Sequence, residues 1–216
     1  MKKTSKALLL SLCAVVLVTA SVLGTMAYLT DNDQVVNTFT VGNVAIDLDE
    51  ADVKLDGTYE VDHDTRVKAN DYKLLPGHTY IKDPTVTVKA NSEAAYVRML
   101  VTFSNASALK EVFGPNFLPE NFVDGWDSQT WISTQEVAED TVDDTVTYEF
   151  RYKEIVPAAS TDNVLDDLFE SFTIPGTLTN EQLAKLDDMD ITVVAHAIQA
   201  DGFDSAKEAW TAFDGE

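Results

Sequence analysis

Residues 145–153 read Thr-Val-Thr-Tyr-Glu-Phe-Arg-Tyr-Lys. Val146, Tyr148, Phe150 and Tyr152 fall on one side of an extended chain, and Thr145, Thr147, Glu149, Arg151 and Lys153 on the other. This alternation has the two-residue period of a strand with one buried and one wet face. The same period recurs outward from this stretch. Val97, Met99, Val101 and Phe103 share one side of residues 95–104, with Tyr96, Arg98, Leu100 and Thr102 opposite. Val86 and Val88 alternate with Thr85, Thr87 and Lys89, and Val44, Ile46 and Leu48 with Ala45, Asp47 and Asp49. Ile191 to Ala200 is apolar on both sides, which predicts a central strand buried on both faces.

Turn chemistry separates the runs. Pro76-Gly77 suits the two central positions of a type II turn, because proline presets φ and glycine accepts a positive φ. Asp83-Pro84 and Ile174-Pro175-Gly176 are further breaks. Asp56-Gly57 between Val53–Leu55 and Thr58–Val61 predicts a tight hairpin. Helix signals are few. Asn105 or Ser107 is placed to cap a short helix through Phe113, and Thr179 opens a turn or two ending near Leu186. Asp204 is placed to cap a final helix through Phe213, with Ala206, Ala209, Trp210 and Phe213 on one side. Leu165 to Phe172 reads equally as helix or strand. Many short strands with few helices predict an all-β fold: a two-sheet antiparallel sandwich, with a jelly-roll-like strand order.

The start of the chain has a different character. Lys2, Lys3 and Lys6 precede an apolar run from Ala7 to about Leu23, followed by Gly24-Thr25-Met26-Ala27. A basic start, an apolar middle and a small-residue exit are the three parts of a secretory signal peptide. Thr25 and Ala27 provide the small side chains that a signal peptidase accepts, so cleavage is expected between Ala27 and Tyr28. The competing reading is an uncleaved membrane anchor, but the run falls short of the roughly 20 residues that span a bilayer. The expected organisation is a signal peptide over 1–27, an N-terminal extension over 28–43 and a β-sandwich over 44–216.

Charge and cysteine content narrow the function classes. The chain of 216 residues has 15 Lys+Arg against 37 Asp+Glu. Loss of residues 1–27, which carry three lysines and no acid, leaves a net charge near −25. A basic nucleic-acid footprint is excluded. The single cysteine, Cys13, lies in the signal core, so the mature chain has no disulfide, thiolate nucleophile or cysteine metal ligand.

The N-terminal residues carry a family resemblance. Gly24-Thr25-Met26-Ala27-Tyr28-Leu29-Thr30-Asp31 is followed by Asn37-Thr38-Phe39-Thr40-Val41-Gly42-Asn43-Val44-Ala45-Ile46-Asp47-Leu48. This resembles the TasA/camelysin family of Gram-positive bacteria, whose precursors are processed by a dedicated signal peptidase, SipW. Leu75-Pro76-Gly77 before a strand and the late strand from Ile191 to Gln199 resemble the family as well; residues 105–185 do so only in being strand-rich. The resemblance implies a jelly-roll-like sandwich, export, and a structural role in biofilm matrix fibres or at the cell surface. It also implies a SipW-type peptidase as partner, with the membrane engaged only through the uncleaved signal peptide.

Camelysins have been described as metalloproteases, which makes a zinc site the first chemistry to seek. The zincin pattern needs two histidines four apart on a helix. His63, His78 and His196 are isolated from one another, and no Gly-x-Ser-x-Gly elbow is present. No catalytic, cofactor or metal residue is assigned, and an enzyme is not expected. Three acidic clusters could attract calcium: Asp47-Asp49-Glu50-Asp52, Glu139-Asp140-Asp143-Asp144 and Asp187-Asp188-Asp190. None has the spacing, central glycine and closing glutamate of an EF-hand loop, so each reads as a solvated acidic loop. Trp126, Trp131 and Trp210 could stack on sugars in a monomeric adhesin, but core positions suit them better.

Tyr28 to Val41 is the most functional-looking segment. Val35, Phe39 and Val41 share one face of an extended chain. The segment reads either as the first strand of its own sheet or as a donor strand that adds to an exposed sheet edge of the next subunit. Such a head-to-tail contact does not close on itself and gives a homopolymer. The function expected is therefore a secreted structural protein of matrix or surface, with a camelysin-like protease and a monomeric adhesin as the rivals.

Overall fold

The computed structural model describes residues 43–215, apart from the side chains of 135–137. The candidate cleavage junction Ala27–Tyr28 and the candidate donor residues Val35, Phe39 and Val41 lie outside the described residues. The fold is mostly β, a sandwich built from antiparallel strands. One layer is a four-stranded sheet in the order β11-β5-β8-β7: β5 is Ala95–Phe103, β7 Trp131–Asp140, β8 Thr145–Tyr152 and β11 Ile191–Gln199. Facing its core side are two smaller sheets. The first has the order β2-β1-β4-β9, from Arg66–Val67, Ile46–Ala51, Thr85–Val88 and Asn163–Val164. The second has the order β3-β10-β6, from Thr79–Ile81, Ser171–Thr173 and Val123–Asp124.

Two sheets were expected where three are found, and Asp83-Pro84 is the cause. Proline has no N–H to give a ladder. It stands between β3 and β4, which would otherwise run on as one strand. The buried Asp83 carboxylate instead accepts the Ala51 amide at 2.7 Å and Arg66 Nη1 at 2.6 Å, so the break is itself a fixed joint.

The alternation read from the sequence is the core. Val97, Met99, Val101 and Phe103 of β5 are at most 1 % exposed, and they pack with Val146, Tyr148 and Phe150 of β8 and Trp131 of β7. Val86 and Val88 of β4, Tyr80 of β3 and Phe172 of β10 close the same cluster from the facing layer. Tyr80 and Phe172 stack at 5.2 Å, and Phe122 stacks on Phe172 at 5.4 Å. Trp131 and Trp210 are buried and Trp126 is half-buried against the core. Burial of this kind leaves none of the three as an open sugar-stacking platform.

Turns and caps show where local signals sufficed. Gly77 has φ 77°, and the His78 amide reaches the Leu75 carbonyl at 3.3 Å across Pro76-Gly77, as that dipeptide predicted. The Asp56-Gly57 turn is wider than a two-residue loop: the Lys54 amide bonds the Thr58 carbonyl, and Val53 faces Tyr59 in an isolated bridge. Thr179 forms a reciprocal capping box with Gln182 at the start of α2 (Asn180–Leu183), which runs on as a 3-10 turn through Leu186. Two expected caps are corrected. At α1 (Ala106–Phe113), Asn105 has φ 52° and spends its side chain on the Lys185 carbonyl; the Asp144 carboxylate, 37 residues on, accepts the Ser107 amide instead. At α3 (Ala206–Asp214), Ser205 rather than Asp204 caps the helix, accepting the Glu208 amide at 3.2 Å. The ambiguous stretch from Leu165 to Phe172 is neither a helix nor one strand. Residues 165–170 connect β9 to β10 and bury Leu165, Leu168 and Phe169, and Ser171 and Phe172 open β10.

The largest correction concerns Ile191 to Ala200. Among the described residues this strand is not central: β11 is the edge of its sheet, and β5 is the strand buried on both faces. Its apolar residues do face two ways. Ile191, Val193, Ala195 and Ala197 pack on the main core, while Ile198 packs under α3 with Tyr96 and Trp210. A helix supplies the second cover, and two covered faces say nothing about a lateral neighbour.

Candidate functional site

A sheet edge is a row of unpaired N–H and C=O groups, and proteins blunt such rows with charge, proline, bulges or brevity. The edges of this molecule differ in that respect. β7, at the far side of the large sheet, breaks register between Ser133 and Val137 and ends in Glu139 and Asp140. β1 is flanked by β2 at Glu50 and Ala51, and beyond that Lys68 Nζ donates to the Leu48 carbonyl at 2.7 Å while Arg66 Nη2 reaches that of Asp49. β2, β3, β6 and β9 are two or three residues long. β11 has none of these devices. It runs nine residues in unbroken register with β5, from Ile191 opposite Phe103 to Gln199 opposite Ala95, and contains no Asp, Glu, Lys, Arg or Pro. Among the described residues it is the one long edge without protection.

The hydrogen-bond phase identifies which groups are offered. The Ser104 amide bonds the Asp190 carbonyl at 3.0 Å and the Ala200 amide bonds the Ala94 carbonyl at 2.7 Å, at the two ends of the ladder. In an antiparallel pair, bonded and non-bonded pairs alternate. Thr192, Val194, His196 and Ile198 therefore exchange bonds with β5. Ile191, Val193, Ala195, Ala197 and Gln199 turn their N–H and C=O outward. The offered row is about 30 Å long at the usual rise per residue. Its even-numbered side chains stand on the outer face of the sheet, where Val194 is 41 % exposed.

Beside the first residues of β11 lies a cleft of ≈ 880 Å³ between the two layers. Leu48, Leu74, Met189 and Val193 give it apolar walls, and Asp71, Asp187 and Asp188 stand at it as well. Lys82 and Glu50, both buried, form an ion pair of 2.6 Å there, and Asn70 donates to the same glutamate at 2.9 Å. Removing either partner of such a pair costs about 3–5 kcal/mol, so the cleft has a fixed polar component. Tyr72 also lines it, and burial raises its phenol far above the ordinary range, keeping it neutral.

The residues singled out from the sequence fall apart in space rather than together. His63 is exposed near Asp64 and Asp83, His78 is exposed beside the Pro-Gly turn, and His196 is on β11. Among the described residues no group of three His, Cys, Asp or Glu is arranged to hold a metal ion. The first acidic cluster is not a solvated loop but strand β1 and its exit. Asp47 pairs with Lys68, Asp49 with Arg66 at 2.9 Å and Glu50 with Lys82. Hydrogen bonding to Lys68 holds the Asp47 carboxyl below its usual range. In the second cluster Asp140 accepts the Val142 and Asp143 amides, and Asp144 caps α1. These carboxylates serve the fold. The sequence reading missed the β11 edge; its one local signal was a ten-residue stretch without charge, closed by Asp190 and Asp201. Among the described residues no helix is long and apolar enough to cross a membrane. Comparison with known protein families, curated proteins and solved structures finds no match to this chain.

Proposed function

We propose that this protein is a secreted structural subunit of an extracellular matrix or cell-surface layer, and that it polymerises by strand addition. Residues 28–43 of one copy, freed by cleavage after Ala27, add to the β11 edge of the next. The observation that carries this reading is the unprotected nine-residue edge. An added strand would satisfy the outward groups of Ile191, Val193, Ala195, Ala197 and Gln199, and backbone bonds supply affinity in this mode of recognition. The N-terminal segment suits the role by composition, since Gln34 to Asn43 carries no charge and has Val35, Phe39 and Val41 at the alternate positions of an extended chain. Donor and acceptor are different segments of one chain, so the contact is heterologous and propagates. The resemblance to the TasA/camelysin family supports export and a matrix or surface setting.

Electron microscopy of the secreted protein tests the reading. The chain beginning at Tyr28 is expected to form filaments, and a chain lacking Tyr28 to Val41 is expected to stay monomeric while keeping its β-rich circular dichroism. Filaments formed at the normal rate by the truncated chain would reject strand donation.

A further inference from the structure

Among the described residues the edge that this reading depends on has one lateral neighbour, β5, and its outer face is covered at one end by a single helix, α3. How α3 is attached is therefore of functional interest. Its apolar contacts are few: Ala209 and Trp210 pack against Tyr96 and Ile198, with Ala200, Phe203 and Ala206 at the border. The rest of the attachment converges on one side chain. Arg98 projects outward from the middle of β5 and is 5 % exposed. Its Nη1 and Nη2 grip the two oxygens of Asp214, at the last turn of α3, at 2.8 and 2.5 Å. Its guanidinium lies 4.4 Å from the Trp210 ring centroid and 5.1 Å from that of Phe213. The same Nη1 also donates to Glu149 at 3.2 Å, and Nε donates to His196 Nδ1 at 3.2 Å.

The last contact makes the joint conditional. A ring nitrogen that accepts from a guanidinium carries no proton, so His196 is held neutral with Nδ1 as acceptor. The ring also lies 4.9 Å from Phe213 of the helix, centroid to centroid. The charged groups acting on it are Arg98 on β5, Asp214 on α3 and Glu149 on β8, and Glu149 is itself paired with Arg151. A proton added at Nδ1 removes the acceptor for Arg98 Nε and sets a second cation against it. We propose that α3 is an acid-releasable clasp over the β11 edge, with Arg98 as its pin and His196 as the residue that senses acid.

Burial first, and then the neighbouring Arg98, hold His196 below its ordinary value of 6.5. The folded clasp thus binds fewer protons than the open chain over the interval between the lowered value and 6.5. Its stability is full above 6.5 and declines as the pH falls through that interval. Asp214, held below the usual carboxylate range by its hydrogen bonds to Arg98, gives way only in stronger acid. Release uncovers the outer face of β11 at the α3 end, which makes it a poorer template. The regulatory meaning rests on the strand-docking reading; the clasp itself does not.

Hydrogen exchange read by mass spectrometry on the secreted protein at pH 7.5 and 5.5, corrected for intrinsic rates, tests it. Residues 206–214 are expected to lose at least tenfold in protection at the lower pH while 97–103 keep theirs. His196→Asn, whose amide oxygen still accepts from Arg98, is expected to abolish that difference. Arg98→Lys, which cannot grip both oxygens of Asp214, should lower protection of the helix at both pH values. Equal helix protection in the parent at the two pH values, or an unchanged pH response in His196→Asn, overturns the proposal. Should His196→Asn fail to fold, an NMR titration of the parent replaces it: the imidazole should protonate together with loss of the helix, and protonation under an intact helix overturns the proposal. A protein that shows the release yet never polymerises would sink strand docking and leave the clasp standing.

Discussion

Two proline substitutions one residue apart on β11 should have opposite consequences. The Val194 amide bonds inward to Leu100, whereas the Ala195 amide points away from β5 toward solvent, a phase set by the bonds at Ser104 and Ala200. Proline is tolerated on an edge strand when the missing N–H would have faced solvent. Ala195→Pro therefore removes no ladder bond, and the stiffer unfolded chain offsets part of any strain, an effect of about 0.4–1 kcal/mol. Val194→Pro deletes the bond to Leu100 and leaves that carbonyl without its donor, a loss of about 1–3 kcal/mol before ring clashes are added. Urea denaturation should place Val194→Pro at least about 2 kcal/mol below Ala195→Pro in stability. The decisive assay follows on the folded variant. Ala195→Pro has lost one outward donor in the centre of the edge and cannot extend a regular ladder there. It should remain monomeric, with parental circular dichroism, under conditions where the parent forms filaments. Parental filament growth by a folded Ala195→Pro would refute docking on this edge. Equal destabilisation by both prolines would refute the assigned hydrogen-bond phase.

Other consequences are simpler to state. Gly57→Ala should destabilise by more than about 1–2 kcal/mol in urea titration, since φ is +79° and a Cβ would stand 2.6 Å from Tyr80 Cα. Asp83→Asn removes the charge that Arg66 grips at the joint between the small sheets and should cost about 3 kcal/mol. Phe150→Ala, at 2 % exposure in the centre of β8, should cost about 3–5 kcal/mol. Filament growth followed by light scattering should accelerate with salt, because copies of a chain with 37 Asp+Glu against 15 Lys+Arg repel until screened, and the Debye length shrinks from about 30 Å at 0.01 M to about 8 Å at 0.15 M; a rate that falls with salt would contradict assembly through an uncharged edge.

The parts of the fold legible in the sequence are those fixed by local periodicity. Val97 to Phe103 and Val146 to Tyr152 announced their inward faces because a two-residue period allows no other assignment, and Pro76-Gly77 and Thr179 to Gln182 announced their turn and cap because the partners are adjacent in the chain. What could not be read depends on distant partners. Asp144 caps α1 from 37 residues away. Asp49 and Glu50 read as a solvated acidic loop, and Asp83 only as half of a turn break, because Arg66 and Lys82 reach them through the pairing of β1 with β2 and the path of β3. Arg98 stood alone in an apolar strand, a visible oddity whose explanation lies at the far end of the chain, in Asp214. The candidate site was the least legible element of all. Ile191 to Gln199 has the composition of a central strand, and only the topology shows that its lateral neighbour on one side is missing among the described residues.

Residue-resolved amide exchange along β11, before and after polymerisation, addresses the edge itself. In the monomer the amides of Ile191, Val193, Ala195, Ala197 and Gln199 should exchange rapidly, while those of Thr192, Val194, His196 and Ile198 exchange slowly. In the polymer the odd-numbered set should become protected as well. Odd-numbered amides that exchange as fast in the polymer as in the monomer would show that subunits meet elsewhere.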